Sequence, residues 1–430
     1  MKKFRQYFLL SFVFVVIRLI LLPSLYAMDI PNGNVIYKSN IRTVQLYKEG
    51  FELSSPVITL NSTEKVKLSF DDLDGGNKRY RFTIQHCEAD WTTSTGVSAS
   101  DYIDGYREEN IDDYAYSYNT TVIYTHYTAL FPTRSMRPRL SGNYLLVVYE
   151  EDPSNIVLTR RFLVAETTPV GITGKVSQSA RMDMRNSGQQ IDFTVNLNGF
   201  RVSGIRLELN VVIQQNERWD NVLRNIKPRF IRGDEIDYTY DENNLFSGGN
   251  EFRNFDTKSL AYQSERIKRI LFDTTSQVYL LEDQPRPLKN YTFEKDLNGR
   301  FYIKNEENAV NSDIEADYAW IHFFLSYPVM RSDGQMVILG ALTNWQPDAG
   351  SRMTYSFTRR GYWLNLFLKQ GYYNYEYVFI LNGRNTGDES LTEGSHWETE
   401  NEYTIYVYYH EAGGLYDRLI ATQDLNSIVR

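Results

Sequence analysis

The sequence predicts a mainly β protein made of three consecutive β-sandwiches, and three observations predict it. Apolar residues alternate with a period of two over whole segments, as in Tyr373, Tyr375, Tyr377, Phe379 and Leu381, which sets one face of a strand against a core. Tyrosines number 33 against 8 methionines, and aromatic residues make up 14% of the chain, a bias toward strands. No helical segments alternate with these runs, which favours sandwiches over a parallel sheet with crossover helices. At 430 residues the length alone suits about two to four domains.

Taken in order, residues 1–27 have the make-up of an export signal. Lys2, Lys3 and Arg5 precede an apolar run from Tyr7 to Leu22 broken by Arg18, and Leu25-Tyr26-Ala27 offers a small residue for cleavage. The first sandwich is expected over 28–166. It takes in Val66, Leu68 and Phe70, a turn at Asp74-Gly75-Gly76, and Tyr80, Phe82 and Ile84, which together predict a hairpin. Asp101 to Tyr118 forms a long, acidic, tyrosine-rich connection, and Tyr144–Tyr149 and Val157–Val164 close the module. Arg160 and Arg161 stand just before its last apolar residues.

A second sandwich is expected over 167–304. Ile191, Phe193, Val195 and Leu197 alternate, and Ile205, Leu207, Leu209, Val211 and Ile213 predict one long strand. The third spans 305–430. Val337–Leu339 leads into a loop carrying Trp345, Trp363–Leu368 turns at Gln370-Gly371 into the Tyr373–Leu381 strand, and Asn382-Gly383 predicts an immediate return. Tyr403, Ile405, Val407 and Tyr409 finish this module, and the amphipathic tail from Glu411 predicts a short helix. The first two connections between modules are Glu166–Pro169 and the acidic stretch 305–317.

Composition excludes several functions. Residues 1–27 hold four basic and no acidic residues, so the formal charge of −8 becomes −12 without them; an acidic chain is poorly suited to phosphate backbones, which argues against nucleic acid. Beyond the leader no apolar run reaches the roughly 20 residues a spanning helix needs, and the irregular strand lengths and long polar connections disfavour a membrane barrel. The single cysteine, Cys87, excludes an internal disulfide and suits a buried small side chain. His86, Cys87 and His126 lack the ligand count of a zinc site and the oriented base of a thiol nucleophile. Paired acids such as Asp71-Asp72, Glu108-Glu109 and Asp112-Asp113 fit solvated loops, and Asp296-Leu297-Asn298-Gly299 lacks the remaining ligands of a calcium loop. Neither a G-x-S-x-G elbow nor a phosphate loop occurs. The expectation is a protein without catalytic residues, cofactor or metal.

Two loop regions carry the residue types of recognition surfaces. Asn216, Arg218 and Trp219 lie in one, and Asn250, Glu251, Phe252, Arg253 and Phe255 in the other; they serve either a protein partner or the packing of their own sandwich. Trp345, Trp363 and Trp397 support an alternative, in which indoles cover the faces of sugar rings in a carbohydrate-binding module protein of the envelope.

The chain also resembles the plug protein family of the type IX secretion system. The likeness rests on Arg81-Phe82-Thr83-Ile84-Gln85-His86-Cys87 with Trp91, Tyr124-Thr125-His126-Tyr127, Ser141-Gly142-Asn143-Tyr144 and Arg160-Arg161-Phe162. It continues through Gln215-Asn216-Glu217-Arg218-Trp219-Asp220, Gly248-Gly249-Asn250-Glu251-Phe252-Arg253-Asn254-Phe255-Asp256 and Tyr416-Asp417-Arg418-Leu419-Ile420. Gly340 to Trp345 is similar to part of glycogen-binding modules, although no tryptophan follows Asn382-Gly383, where such modules often carry one. The resemblance implies immunoglobulin-like or early-set-like sandwiches and a periplasmic, non-catalytic protein of Bacteroidota-type bacteria at the inner face of the outer membrane. Its implied partner is the outer-membrane β-barrel translocon, whose periplasmic opening it would occlude.

Overall fold

Paired sheets with apolar faces turned inward account for most of the chain. The computed structural model describes residues 32–239, 242–307, 309–384 and 386–428; the export signal expected at 1–27 lies outside them. Three hydrophobic cores organise the described residues.

In the first sandwich, Gly142–Glu150 runs between Ile156–Ala165 and Tyr80–Cys87. The facing sheet orders Ile41–Lys48, Val66–Asp72, Thr125–Phe131 and Asp113–Tyr116. Phe70, Tyr80, Tyr127, Tyr144 and Phe162 meet between the sheets. The Asp74-Gly75-Gly76 turn is present, with φ of 67° at Gly75 and 72° at Gly76, yet it joins no hairpin, because Val66–Asp72 and Tyr80–Cys87 lie in opposite sheets. Buried Asp72 holds the crossing in place: it accepts from Asn40 Nδ2 at 2.6 Å, the Asp74 amide at 3.0 Å and the Tyr80 hydroxyl at 3.0 Å. Lys78 pairs with it at 2.9 Å.

The second sandwich differs from the sequence reading in its membership. One sheet contains Gly171–Gln178, Gly188–Asn196, Glu235–Asp237 and Phe230–Arg232, as sequence order suggests. The other is built from Leu209–Gln215, Glu402–Tyr409 and Arg418–Asn426. The register runs from Leu209 opposite Tyr409 to Gln215 opposite Tyr403, and Tyr403, Ile405 and Val407 join Ile191, Phe193, Val211 and Ile213 in one core. The strands expected to finish the third sandwich therefore complete the second. Alternation shows that one face of a strand is buried but not which sheet it faces. Two local expectations also change: Ile205–Glu208 is a helical turn that leaves Leu207 92% exposed, and the tail is the strand Arg418–Asn426.

The third sandwich is inserted within the second, between the strand Leu245–Ser247 and the strand Glu402–Tyr409. Its larger sheet orders Ile267–Phe272, Ser276–Leu280, Tyr318–Ser326, Gly361–Lys369 and Thr354–Ser356. The facing layer is Arg253–Asp256, Gly371–Leu381 and Phe301–Ile303, with Gly334–Leu339 on the same long strand. Segments from 253 to 303, expected in the second sandwich, thus belong here. Only Gln370 separates Gly361–Lys369 from Gly371–Leu381, and the chain changes sheet across it. A Cβ at Gly371 would lie 2.4 Å from the Tyr302 carbonyl oxygen, so only glycine permits this approach. After Asn382-Gly383 the return is a single bridge between Phe379 and Asp388, on the strand edge opposite Gly334–Leu339.

This topology makes the second sandwich depend on the chain's last thirty residues. Ile405→Ala, at a fully buried position, is expected to cost about 2–5 kcal/mol in urea denaturation. Ending the chain at residue 401 should abolish hydrogen-exchange protection in Gly188–Asn196 and Leu209–Gln215. Native protection of those two strands in the shortened chain would contradict the pairing.

Candidate functional site at the junction of the three sandwiches

The first and third sandwiches meet around a buried ion pair. Asp71 is the penultimate residue of Val66–Asp72, and Lys369 ends Gly361–Lys369. Lys369 Nζ lies 2.6 Å from Asp71 Oδ2, with both side chains 1% exposed. The pair is surrounded by further donors and acceptors: His126, opposite Asp71 in the sheet, approaches it at 2.6 Å, and the Tyr318 hydroxyl donates to it at 2.7 Å. Lys369 donates to the Asp313 carbonyl at 2.7 Å and sits 4.1 Å above the Tyr124 ring. Burial pushes the Asp71 carboxyl up, but the Lys369 charge and His126 bring it below the ordinary aspartate value. Burial draws Lys369 below the ordinary lysine value against the opposing charge of Asp71. Beside this pair, the Asp317 carboxylate accepts the amides of Thr121 and Val122.

The first and second sandwiches meet through aromatic and polar contacts. The Arg161 guanidinium lies 4.5 Å from the Trp91 ring and 5.5 Å from the Trp219 ring, and the two indoles meet edge to face at 4.8 Å. Arg418 forks onto Glu166 at 2.8 and 2.7 Å, and Tyr408 donates to Asn143 at 2.7 Å. Glu88, His410 and Asp417 place ligand-type atoms within 4.8 Å of one another. Their atoms are engaged in a latch across the same boundary: Asp417 accepts from the Ala89 amide at 2.9 Å and approaches His410 Nδ1 at 2.9 Å, and Glu88 accepts the Asp417 amide at 2.9 Å.

The residues of the two recognition-type loops are engaged inside the molecule: Arg218 joins the second sandwich to the third, and most of the others pack within the second or the third. Asn216 donates to Asn401 at 2.7 Å and accepts the Glu402 amide at 2.9 Å. Arg218, buried, pairs with Glu376 at 2.9 Å and Asp220 at 2.8 Å and lies 5.0 Å from the Trp345 ring. Trp219 is half-buried and stacks on Tyr406 at 5.8 Å. Asn250 donates to the Glu393 carbonyl at 2.8 Å, and Glu251 accepts from the Tyr291 hydroxyl at 2.5 Å. Phe252 packs edge-on to Trp345, Arg253 binds both Asp283 at 2.8 Å and Glu393 at 2.9 Å, and Phe255 is fully enclosed in the third core. Asparagine, arginine and aromatic side chains are indeed those of an interface; here the interface is internal, so six of the eight are buried.

The three tryptophans considered for sugar binding lie apart. Trp345 is half-buried at the junction; Trp363 is 39% exposed on the outer face of the larger sheet of the third sandwich. The Trp397 backbone is tied to Asn186 and Gln189 of the second. They do not make one platform. His86 is enclosed between Ser94 at 2.8 Å and the Ser141 carbonyl at 3.0 Å, and burial lowers its pKa. Burial pushes the Cys87 thiol up to about 12, which leaves it without nucleophilic thiolate at neutral pH.

All three sandwiches border one cleft of about 130 Å³, whose lining includes Arg160, Arg161, Trp219, Arg300, Trp345 and Tyr406. The sequence reading places Arg160 only before the last apolar residues of its module; its parity with Leu158, Phe162 and Val164 is the signal that could have marked it as inward. Asp71 and Lys369 offered no such signal, because 298 residues separate them.

A family model described as the type 9 secretion system plug protein 1st domain matches residues 41–166, and the first core draws on Ile41 through Val164. A crystal structure of a hypothetical protein from Parabacteroides merdae is similar along nearly its whole length. The TM-score is 0.89 at 35% identity, covering 92% of this chain and 99% of that one. No match was found among curated proteins.

Removing one member of the central pair strands the other. Lys369→Met is expected to cost about 3–5 kcal/mol in urea denaturation, and adding Asp71→Asn should recover most of the loss; equal losses in the single and double variants would show that the pair is not coupled. A second expectation concerns Asp296, which accepts the amides of Phe252 and Asn298 and whose carboxyl is pushed up to about 7 by burial. The unfolded chain releases this proton near pH 4 while the folded chain keeps it to about pH 7. Stability due to this group is therefore full below about pH 4 and declines toward pH 7, by at most about 1.4 kcal/mol per pH unit. Asp296→Asn should remove that decline from the variant's pH–stability curve, so the difference between wild-type and variant curves should fall between about pH 4 and pH 7.

Proposed function

The first sandwich matches the type 9 secretion system plug protein 1st domain over residues 41–166, and from that match we propose that the chain is a plug-family protein, a non-catalytic periplasmic body that seats against the outer-membrane β-barrel translocon. It closes the periplasmic opening of that channel while no substrate is passing. The observation that carries this reading is the way the three sandwiches are joined. Buried ion pairs, Asp71 with Lys369 and Arg218 with Glu376, cross between them, and the middle one takes strands from both ends of the inserted third. A body that blocks a pore must not change shape under the crowding of waiting substrate. Joints of this kind, closed by desolvated charges, resist bending because opening any one strands a charge.

The contact with the channel falls to the matched first sandwich. Its acidic, tyrosine-rich connection ends in the edge strand Asp113–Tyr116, and Tyr106, Tyr116, Tyr118 and Ile123 are each more than half exposed. Tyrosines are favoured at protein interfaces because a large apolar ring and a hydroxyl sit on one stiff side chain. A polar rim of acids around them suits a contact that must also release.

Affinity purification from gently solubilised envelopes tests the reading. An outer-membrane β-barrel should co-purify with the wild-type chain, and Tyr116→Ser with Tyr118→Ser should lower its recovery about tenfold without changing the melting temperature. Recovery of the protein alone, even after cross-linking in intact envelopes, would overturn it.

A further inference from the structure

Three guanidinium-bearing residues, Arg160, Arg161 and Arg300, line the cleft at the junction against two carboxylate-bearing ones, Glu52 and Glu217, so positive charge is in excess. Arg300 is matched by Glu217 at 3.1 Å and by Glu402 at 2.5 Å. Arg160 and Arg161 have no carboxylate within ion-pair distance among the described residues. Arg160, fully buried, donates to the Thr159 carbonyl at 2.9 Å, the Val44 carbonyl at 3.4 Å and Asn344 Oδ1 at 2.7 Å. Arg161 donates to the Asn32 carbonyl at 2.9 Å and otherwise faces indole rings. Burial lowers Arg160 to about 9; burial and then the neighbouring Arg224 lower Arg161 to about 10. Both groups therefore lie in surroundings that disfavour their charge.

A second observation points the same way from another sandwich. Arg300 Nε is buried and has no acceptor, although a buried N–H is rarely left unpaired, and Arg300 lines the same cleft. Arginines from two sandwiches, with donors or charge to spare, thus line one space whose wall also includes Glu52, Trp219, Trp345 and Tyr406. We propose that this cleft is a binding site for a carboxylate, carried either by a small free acid or by the end or an acidic side chain of a peptide. The size limits the ligand: about 130 Å³ is the room of roughly four waters, enough for a carboxylate on a short stem and too little for a folded segment. A planar carboxylate suits the fork of a guanidinium better than a spherical halide does. Because each sandwich contributes to the lining, the bound anion ties all three together, and binding stabilises the assembled body by mass action. The proposal rests on the charges of the cleft and stands apart from the translocon reading.

The test uses the purified protein at constant ionic strength, with sodium chloride as the reference salt. Malonate, glutarate, inorganic phosphate, and a short peptide with a free or an amidated C-terminus are titrated in turn. Tryptophan fluorescence reports on the cleft directly through Trp219 and Trp345, and the melting temperature reports linkage. A saturable fluorescence change with a carboxylate, and a melting temperature that rises with its concentration, is the expected result. Preference for the free-ended peptide over both its amide and the small acids assigns a peptide source, and preference for a small acid assigns a free one. Arg161→Gln should weaken the affinity at least tenfold. Arg160→Met, which replaces a buried charge with an apolar side chain, should abolish binding; if it does not fold, Arg161→Gln alone decides. A response no larger than that to chloride, tighter binding of phosphate than of any carboxylate, or unchanged affinity in Arg161→Gln would overturn the assignment.

Discussion

The antiparallel pairing of Leu209–Gln215 with Glu402–Tyr409 decides where the rest of the molecule sits. Its register brings residues almost two hundred positions apart into one sheet, so the intervening third sandwich must leave and re-enter the second at adjacent points. The exit and return are tied where Asn401 donates to the Gly248 carbonyl at 2.8 Å and to Gln189 at 3.0 Å. An insertion held at both ends has little orientational freedom, unlike a domain on a single linker. That restriction brings Lys369 within reach of Asp71 and places the Gly340–Trp345 turn against the first two sandwiches.

The polar contacts across these joints are best understood as setting geometry. A buried ion pair gains little over an apolar contact of equal shape, because desolvation offsets most of the attraction, but an incorrectly docked pair is strongly disfavoured. The Arg253 cluster inside the third sandwich follows the same rule, since Asp283 also accepts the hydroxyls of Tyr375 and Tyr377 at 2.8 Å each and Glu393 also receives Arg286 at 2.6 Å. Each group has several partners that appear together only in one arrangement. A fold with this many mutual conditions suits a protein whose work depends on holding a shape.

The same polar side chains explain why chemistry is an unconvincing role for the residues that attracted attention first. His86 and Cys87 are enclosed by their own sandwich, and the acids of the junction are committed to arginines, lysines or backbone amides. Arg160 and Arg161, which line one cleft, have no carboxylate partner among the described residues, and that is where a small ligand has something to gain. The exposed tyrosines assigned to the partner, Tyr106, Tyr116 and Tyr118, lie on the first sandwich and do not line the cleft, so a partner and a small anion need not compete.

The sequence by itself determined the class of the fold and most of the strands. Period-two alternation is a local property, and Tyr373–Leu381, Ile191–Leu197 and Tyr403–Tyr409 needed no tertiary knowledge to be read as strands with one buried face. It also marked the turns at Gly75-Gly76, Gln370-Gly371 and Asn382-Gly383, and it showed loops composed like interfaces around Arg218 and Arg253. Only the tertiary structure decided which strands are partners, because alternation carries no information about the sheet on the far side of the core. Tyr403–Tyr409 therefore went to the second sandwich, and three apparent hairpins became crossings between sheets or a single bridge. It decided as well that the interface residues face one another, since Arg218 meets Glu376 and Asp71 meets Lys369 only after the chain has folded over distances that no local pattern spans.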